Sequence, residues 1–365
     1  MISADLRRAI ARAIAAEGLP PADPGLRPTG VPGQYASSAA FAFGERRAEA
    51  AARIATRLAQ SDNIERAEIT GPGFITITIA PEELAAQAER IVAAGPACAT
   101  SDALNGVTVP APPAGDPLAK ASWEEARAAL VAQVTAQLAA AAGATVAPQE
   151  NMERTVSSPV PDTVTTPESM ERTVSSPVPQ TVTIPGNDAP AASPPPQDTE
   201  LASAVAFAGA DAVRFALARA VPGRPVAIDG PIIARHVLGN PAYAVRYAHA
   251  RAASGVRWAA TSLSVPLGRR AVLRHLPADP GELVLLDALS WLPERVAVAA
   301  RRGRPDEFAR YLEELASATI AALICAGNPA NAWAHGTDRL ALAEAAQTGL
   351  AAGLGLLGVD APDRL

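Results

Sequence analysis

The sequence predicts three unlike parts: a small α+β N-terminal domain, a disordered Pro/Ser/Thr linker, and an all-α C-terminal helical bundle. Three observations carry that prediction. Residues 64–70 and 74–79 read as two strands joined by Gly71-Pro72-Gly73, set among helix formers. Residues 152–169 recur in tandem at 170–187, the first ten residues of the two copies being identical. From residue 201 onward the apolar spacing is helical, with start and stop signals between segments. The boundaries that follow are 1–95, 96–200 and 201–365.

In the first part, Ser3 is placed to cap a helix over Ala4–Glu17, which Gly18 and Pro20-Pro21 end. A Pro/Gly-rich turn, Pro24–Gly33, leads into Tyr35-Ala36-Ser37-Ser38, and an Ala-rich helix is expected over 39–60. The strand at 74–79 alternates Phe74, Thr76 and Thr78 with Ile75, Ile77 and Ile79, the period of a half-buried strand. A further helix follows over 81–93.

The middle is expected to be mostly disordered from about 145 to 200. Two copies of an 18-residue unit are too few to bury a shared core, and AASPPPQDTE has linker composition. One helix is expected near 117–142, around Trp123, Ala126, Leu130, Val134 and Leu138; the sequence leaves open whether it docks. In the last part, helices are expected over 211–219, from Asn240 to about 260, over 282–302 with a break at Pro293, over 305–326 and over 337–353.

Composition narrows the function classes. Cys98 and Cys325 are far apart and lack metal-ligand spacing, so neither a disulfide framework nor a zinc site is expected, and no cofactor is. Arg7, Arg8, Arg12 and Glu17 interrupt the N-terminal apolar pattern, which makes it an amphipathic helix and not a signal peptide. No uncharged apolar run has membrane-spanning length, and a cytoplasmic protein is expected.

The net charge of −6 is unevenly spread. Residues 96–200 hold 4 basic and 12 acidic groups, whereas residues 201–365 hold 17 and 14. Arg235–Ala278 carries seven arginines, three histidines and no acid. An acid-free basic stretch attracts phosphate, although a solvated arginine face has the same composition. Projected at 100° per residue, the helix from Asn240 puts Tyr243, Arg246, Tyr247, Ser254 and Arg257 on one side. Tyrosine interleaved with arginine suits unstacked bases and their phosphates. Arg269 and Arg270 form a loop cluster open to phosphate, and His249 falls toward the apolar flank as a core histidine.

Several stretches resemble one family. GADAVRFALA at 209–218 contains Asp211-Ala212-Val213-Arg214, similar to the signature of the DALR anticodon-binding domain of arginyl-tRNA synthetases. NPAYAVRYAHAR at 240–251, FARYLEELA at 308–316 and GLGLLGVDAPDRL at 353–365 resemble further stretches of that domain, in the same order. Gly71-Pro72-Gly73-Phe74-Ile75 and Gly33-Gln34-Tyr35-Ala36-Ser37-Ser38 resemble motifs of the family's N-terminal additional domain. The second loop departs from the family at Gln34, where an acid is usual, and at Ser38, where Asn is usual.

The resemblance implies that the N-terminal domain touches the outer corner of tRNA, with Tyr35 stacking on a base, and that the bundle reads the anticodon. It also exposes what is missing. Neither a His-x-Gly-His motif nor a Lys-Met-Ser-Lys-Ser-like loop is present, and Lys120 is the single lysine. Aminoacylation by this chain alone is therefore not expected; the catalytic residues are none.

The first reading is a tRNA-binding module, arginine tRNA being its partner, whose two parts are joined by a tether. A tether of roughly 55 residues would reach about 40 Å r.m.s.. The second is a protein-interaction or regulatory subunit, with a synthetase or another translation protein as partner. The third is a contribution to arginine–tRNA ligase activity with the catalytic domain supplied in trans.

Overall fold

A computed structural model describes residues 2–148, 200–226, 228–262, 279–324 and 336–365. The tandem repeat, Arg269 and Arg270 lie outside the described residues.

The first part is α+β. Helix α1 (Ile2–Ala16) buries Leu6, Ile10, Ala13 and Ile14, a stripe at three- and four-residue spacing. Four antiparallel strands follow: β1 (Leu26–Pro28), β2 (Gln34–Ser37), β3 (Ile64–Thr70) and β4 (Phe74–Ile79), in the order β1-β2-β4-β3. On β4, Ile75, Ile77 and Ile79 are buried while Phe74, Thr76 and Thr78 are half-buried, as the alternation predicts. The Pro/Gly-rich segment expected as a turn instead supplies β1, with Pro28 at the end of an edge strand, where a missing N–H is tolerated. The helix expected over 39–60 is divided. A 3-10 segment (Ala39–Arg46) precedes α2 (Arg47–Leu58) and is kinked at Gly44, whose φ of +57° glycine accepts without a Cβ penalty. Helix α3 (Pro81–Ala94) follows, burying Leu84, Ala85, Ala88 and Ile91 and touching α1.

The middle is more ordered than its composition suggests. A 3-10 turn (Gly95–Ala99) buries Cys98 completely and packs against the helices of the last part. Strand β5 (Thr108–Pro110) pairs in parallel with β6 (Thr145–Ala147), and between them runs α4 (Trp123–Ala141), capped by the Ser122 hydroxyl accepting from the Glu125 N–H. Helix α4 buries Ala126, Leu130, Val134 and Leu138 and packs on the last part, so it docks. Arg214 also pairs with Asp116 at 3.0 Å, tying the two segments together. The expected linker is therefore folded from 96 to 148.

The last part is helical: α5 (Glu200–Ala208), α6 (Ala210–Arg219), α7 (Gly230–Ile233), α8 (Pro241–Ser262), α9 (Pro280–Ser290), α10 (Leu292–Arg302), α11 (Pro305–Ile324) and α12 (Gly336–Leu356). Pro293 sits in the first turn of α10, where its missing N–H has no carbonyl to meet, and the preceding helix stops before it. In the first turn of α11, buried Asp306 is clasped by Arg304 and Arg310, both at 2.7 Å. Burial would raise its pKa, but those two guanidinium groups outweigh it and hold the carboxyl below the usual range.

The first and last parts meet along a seam and are not joined by a tether alone. The Ser3 hydroxyl, expected as a helix cap, donates to the backbone carbonyl of Ser290 at 2.6 Å. Arg7 grips Glu294 with Nε at 3.0 Å and with Nη2, while its Nη1 lies 3.0 Å from Asp23. The side chains of Arg7 and Glu294 are only 10% and 5% exposed, so this forked pair is shielded from water. Gly33, at φ +76°, donates its N–H to Asp287 at 3.1 Å, and a Cβ there would come 3.3 Å from Leu84. Burial pushes the Asp287 carboxyl above its usual range.

Candidate nucleic-acid interface

Helix α8 carries the candidate face. Its far side is fixed by burial: Val245, Ala248 and Ala252 are inaccessible, packed against α11 and α12. The opposite side holds Tyr243, Arg246, Tyr247 and Arg257, all half-buried. The structure brings the first three together. The Tyr243 and Tyr247 rings lie 5.8 Å apart at 21°, stacked one turn apart along the helix. His236, from the loop before α8, stacks on Tyr243 at 5.3 Å and 11°. The result is a three-ring ladder open to solvent at the exposed His236 end.

Asn240 holds that loop in place. Its side-chain amide donates backward to the carbonyls of Ile233 (2.7 Å) and Arg235 (2.8 Å), on either side of the turn leading to His236. Its backbone carbonyl starts α8 by accepting from the Ala244 N–H at 2.8 Å. His236 is the residue that sequence projection missed, because it lies outside the helix and only the turn brings it over Tyr243.

Arg246 is positioned and not free. Its Nη2 lies 3.2 Å from Asp211 on α6, and the other Asp211 oxygen accepts from the Asp360 backbone N–H in the C-terminal tail. One aspartate thus fixes α6, α8 and the tail together, leaving Arg246 26% exposed beside the rings. Arg257 lies further along the helix, half-buried and engaged by neighbouring groups. His249 is buried with Nδ1 3.0 Å from the Pro362 carbonyl, a second tie to the tail. The expected loop pair Arg269 and Arg270 cannot be joined to this face, since both lie outside the described residues.

Tyr35 is a correction. The resemblance implies that it stacks on a base, but the ring is fully buried, 5.0 Å from Trp291. Its hydroxyl shares a 2.6 Å hydrogen bond with Ser290, and burial raises its pKa far beyond the usual tyrosine value. Strand β2 points it inward at the seam, where no base has access. The exposed aromatic surface of the first part is elsewhere. Phe41 and Phe74 lie 4.7 Å apart, with the Arg47 guanidinium 6.0 Å from the Phe41 ring. Phe41 stands in an Ala-rich stretch and Phe74 opens a strand, so nothing in one dimension couples them.

Among the described residues, no group of three His, Cys, Asp or Glu side chains could hold a metal ion, and no single helix is long and apolar enough to cross a membrane.

The fold and this face define a class: a small α+β unit docked on a helical bundle that carries a stacked aromatic face. Comparison with known proteins specifies it. Residues 2–79 match the model of the arginyl tRNA synthetase N terminal domain, and residues 245–365 match that of the DALR anticodon binding domain. The arginine–tRNA ligase of Frankia alni is 35% identical over 161 residues, covering 43% of this chain and 29% of that protein. The ligase of Clavibacter sepedonicus is 36% identical over 162 residues, covering 43% and 28%. The solved Thermus thermophilus arginyl-tRNA synthetase aligns with a TM-score of 0.62 at 15% identity, over 100% of each chain, a likeness of fold. The chain belongs to the arginyl-tRNA synthetase family. It spans about three-tenths of the length of the curated relatives it matches.

Proposed function

We propose that this chain binds tRNA, arginine tRNA by its family, without aminoacylating it. The observation that carries the reading is the stacked His236–Tyr243–Tyr247 ladder beside the Asp211-held Arg246. Rings that already stack on one another, open at one end, extend naturally onto an unstacked base, and the adjoining guanidinium suits its phosphate. The first part would add the Phe41–Phe74–Arg47 patch in place of Tyr35. The absence of both synthetase motifs and the single lysine support a chain without the adenylation chemistry. The direct docking of the two parts favours a fixed spacing between their RNA-facing surfaces over a tethered one.

The test is binding of purified protein to arginine tRNA and to another tRNA at two salt concentrations. Tighter binding to arginine tRNA that weakens steeply with salt supports the reading. Absence of binding at low salt sinks it. ATP–pyrophosphate exchange with arginine and arginine tRNA present is expected to stay at background; turnover by the isolated chain would overturn the non-catalytic part.

A second reading draws on Phe207, Ile232, Val237 and Leu238, which are 66%, 52%, 52% and 54% exposed around the His236 loop. So much exposed apolar surface suits a protein partner, such as another translation protein. A tRNA-negative protein that retains this patch would direct the search there.

A further inference from the structure

The seam between the first part and α10 encloses a polar cleft of about 510 Å³, walled by Arg27 on β1 and by Arg295, Arg301 and Arg302 on α10. We propose that this cleft is a binding site for a phosphate oxyanion, distinct from the α8 face and independent of the reading proposed for it.

Part of the charge around the cleft is paired and part is not. Three carboxylates also border the cleft, and each is taken. Asp23 lies 3.0 Å from Arg7 and 3.4 Å from Arg301. Glu294 is gripped by Arg7, and Glu307 lies 3.1 Å from Arg302. Arg27 and Arg295 remain. Among the described residues, neither forms a salt bridge, although the Arg295 charge reaches the Asp287 carboxyl and partly offsets the effect of its burial. Arg27 is exposed at the cleft's rim.

Arg295 is the more telling of the two. Its guanidinium lies 6.0 Å from the Trp291 ring and 5.7 Å from the Tyr311 ring, aromatic neighbours that limit where its plane can lie. Its Nε is shielded from water and meets no hydrogen-bond acceptor. An unmet donor on a cation is costly to keep, and an anion held by the same guanidinium where it lines the cleft would offset the charge that Arg295 carries there. A planar fork of donors matches the oxygens of phosphate, and a second arginine across the opening suits a doubly charged one. Because the walls come from β1 and α10, the bound anion would also hold the two parts together.

Calorimetric titration of the full chain with inorganic diphosphate at low ionic strength, against sodium chloride at matched ionic strength, tests the proposal. Saturable one-to-one binding is expected, weakened about tenfold in Arg295→Met and less in Arg27→Ala. Arg295→Lys keeps the charge but not the fork and should also weaken binding, which covers the case in which Arg295→Met fails to fold. No saturable heat from the unaltered protein, or unchanged affinity in both Arg295→Lys and Arg27→Ala, overturns the proposal. Repeating the titration with tRNA present separates the two sources of phosphate. Displacement of diphosphate identifies a backbone phosphate, and undisturbed binding identifies a free oxyanion.

Discussion

Tyr35 at the seam and Tyr243 on α8 look alike in sequence, each an aromatic beside small residues in a stretch that resembles an RNA-facing motif. The fold sends them opposite ways. Tyr35 is sealed against Trp291 and Ser290, a strut between two parts of one chain. Tyr243 sits mid-ladder between His236 and Tyr247, on a surface with somewhere for a base to go. An aromatic residue in a motif reports that a ring is needed; whether the ring serves cohesion or recognition depends on what the fold lays across it.

Five substitutions break or sharpen that contrast. The largest effect is expected at the seam's buried ion pair. Glu294→Ala leaves Arg7 shielded beside only the more exposed Asp23, and should cost about 3–5 kcal/mol in denaturant unfolding. A loss below about 1 kcal/mol would show that water reaches the pair and that the seam is loose.

Next is Tyr243→Ala, expected to weaken tRNA binding by about 1–3 kcal/mol while hardly shifting the unfolding midpoint. If stability falls and binding does not, the ladder is a packing feature and the contrast collapses. Tyr35→Phe is expected to do the converse, losing one buried hydrogen bond worth about 1 kcal/mol of stability with tRNA affinity unchanged. A drop in affinity to match that of Tyr243→Ala would put Tyr35 back among the RNA-facing residues.

The smallest effect concerns pH and differs in sign between two aspartates. Asp306 has a depressed pKa, so its contribution is present above the unfolded carboxyl value and is lost as pH falls through the folded one. Asp287 has a raised pKa, so the folded state holds its proton more tightly, and stability falls as pH rises from the unfolded value through the folded one. Asp287→Asn should therefore flatten the stability profile just above the usual carboxyl pKa, whereas Asp306→Asn should flatten it below. Equal profiles for Asp287→Asn and the unaltered protein would mean the Gly33 N–H and its neighbours already compensate its burial.

What was legible in the sequence was local. The β3–β4 hairpin, the break before Pro293 and the tyrosine–arginine face of α8 follow from alternation, ring geometry and periodicity within a few turns of chain. What was not legible depended on distant partners. Strand β1 exists because Leu26–Pro28 has an edge to pair with, which a Pro/Gly-rich stretch does not announce. Helix α4 docks because α6 and α10 supply the other half of its core. Ser3 has the local signature of a cap, yet its hydroxyl is claimed by a carbonyl 287 positions away. His236 joins the candidate face through a turn that Asn240 ties, a geometry no helical projection contains.

The complete burial of Cys98 gives the seam a clock. Burial pushes this thiol up to about 12, so at neutral pH it is neither reachable nor nucleophilic while the parts stay docked. The turn that carries it packs directly on α10 and α12, so separating the parts would bare it. In a Cys325→Ala background, the rate of thiol labelling would count openings one at a time. A slowing of that rate on adding diphosphate or tRNA would reveal which of them clamps the molecule shut.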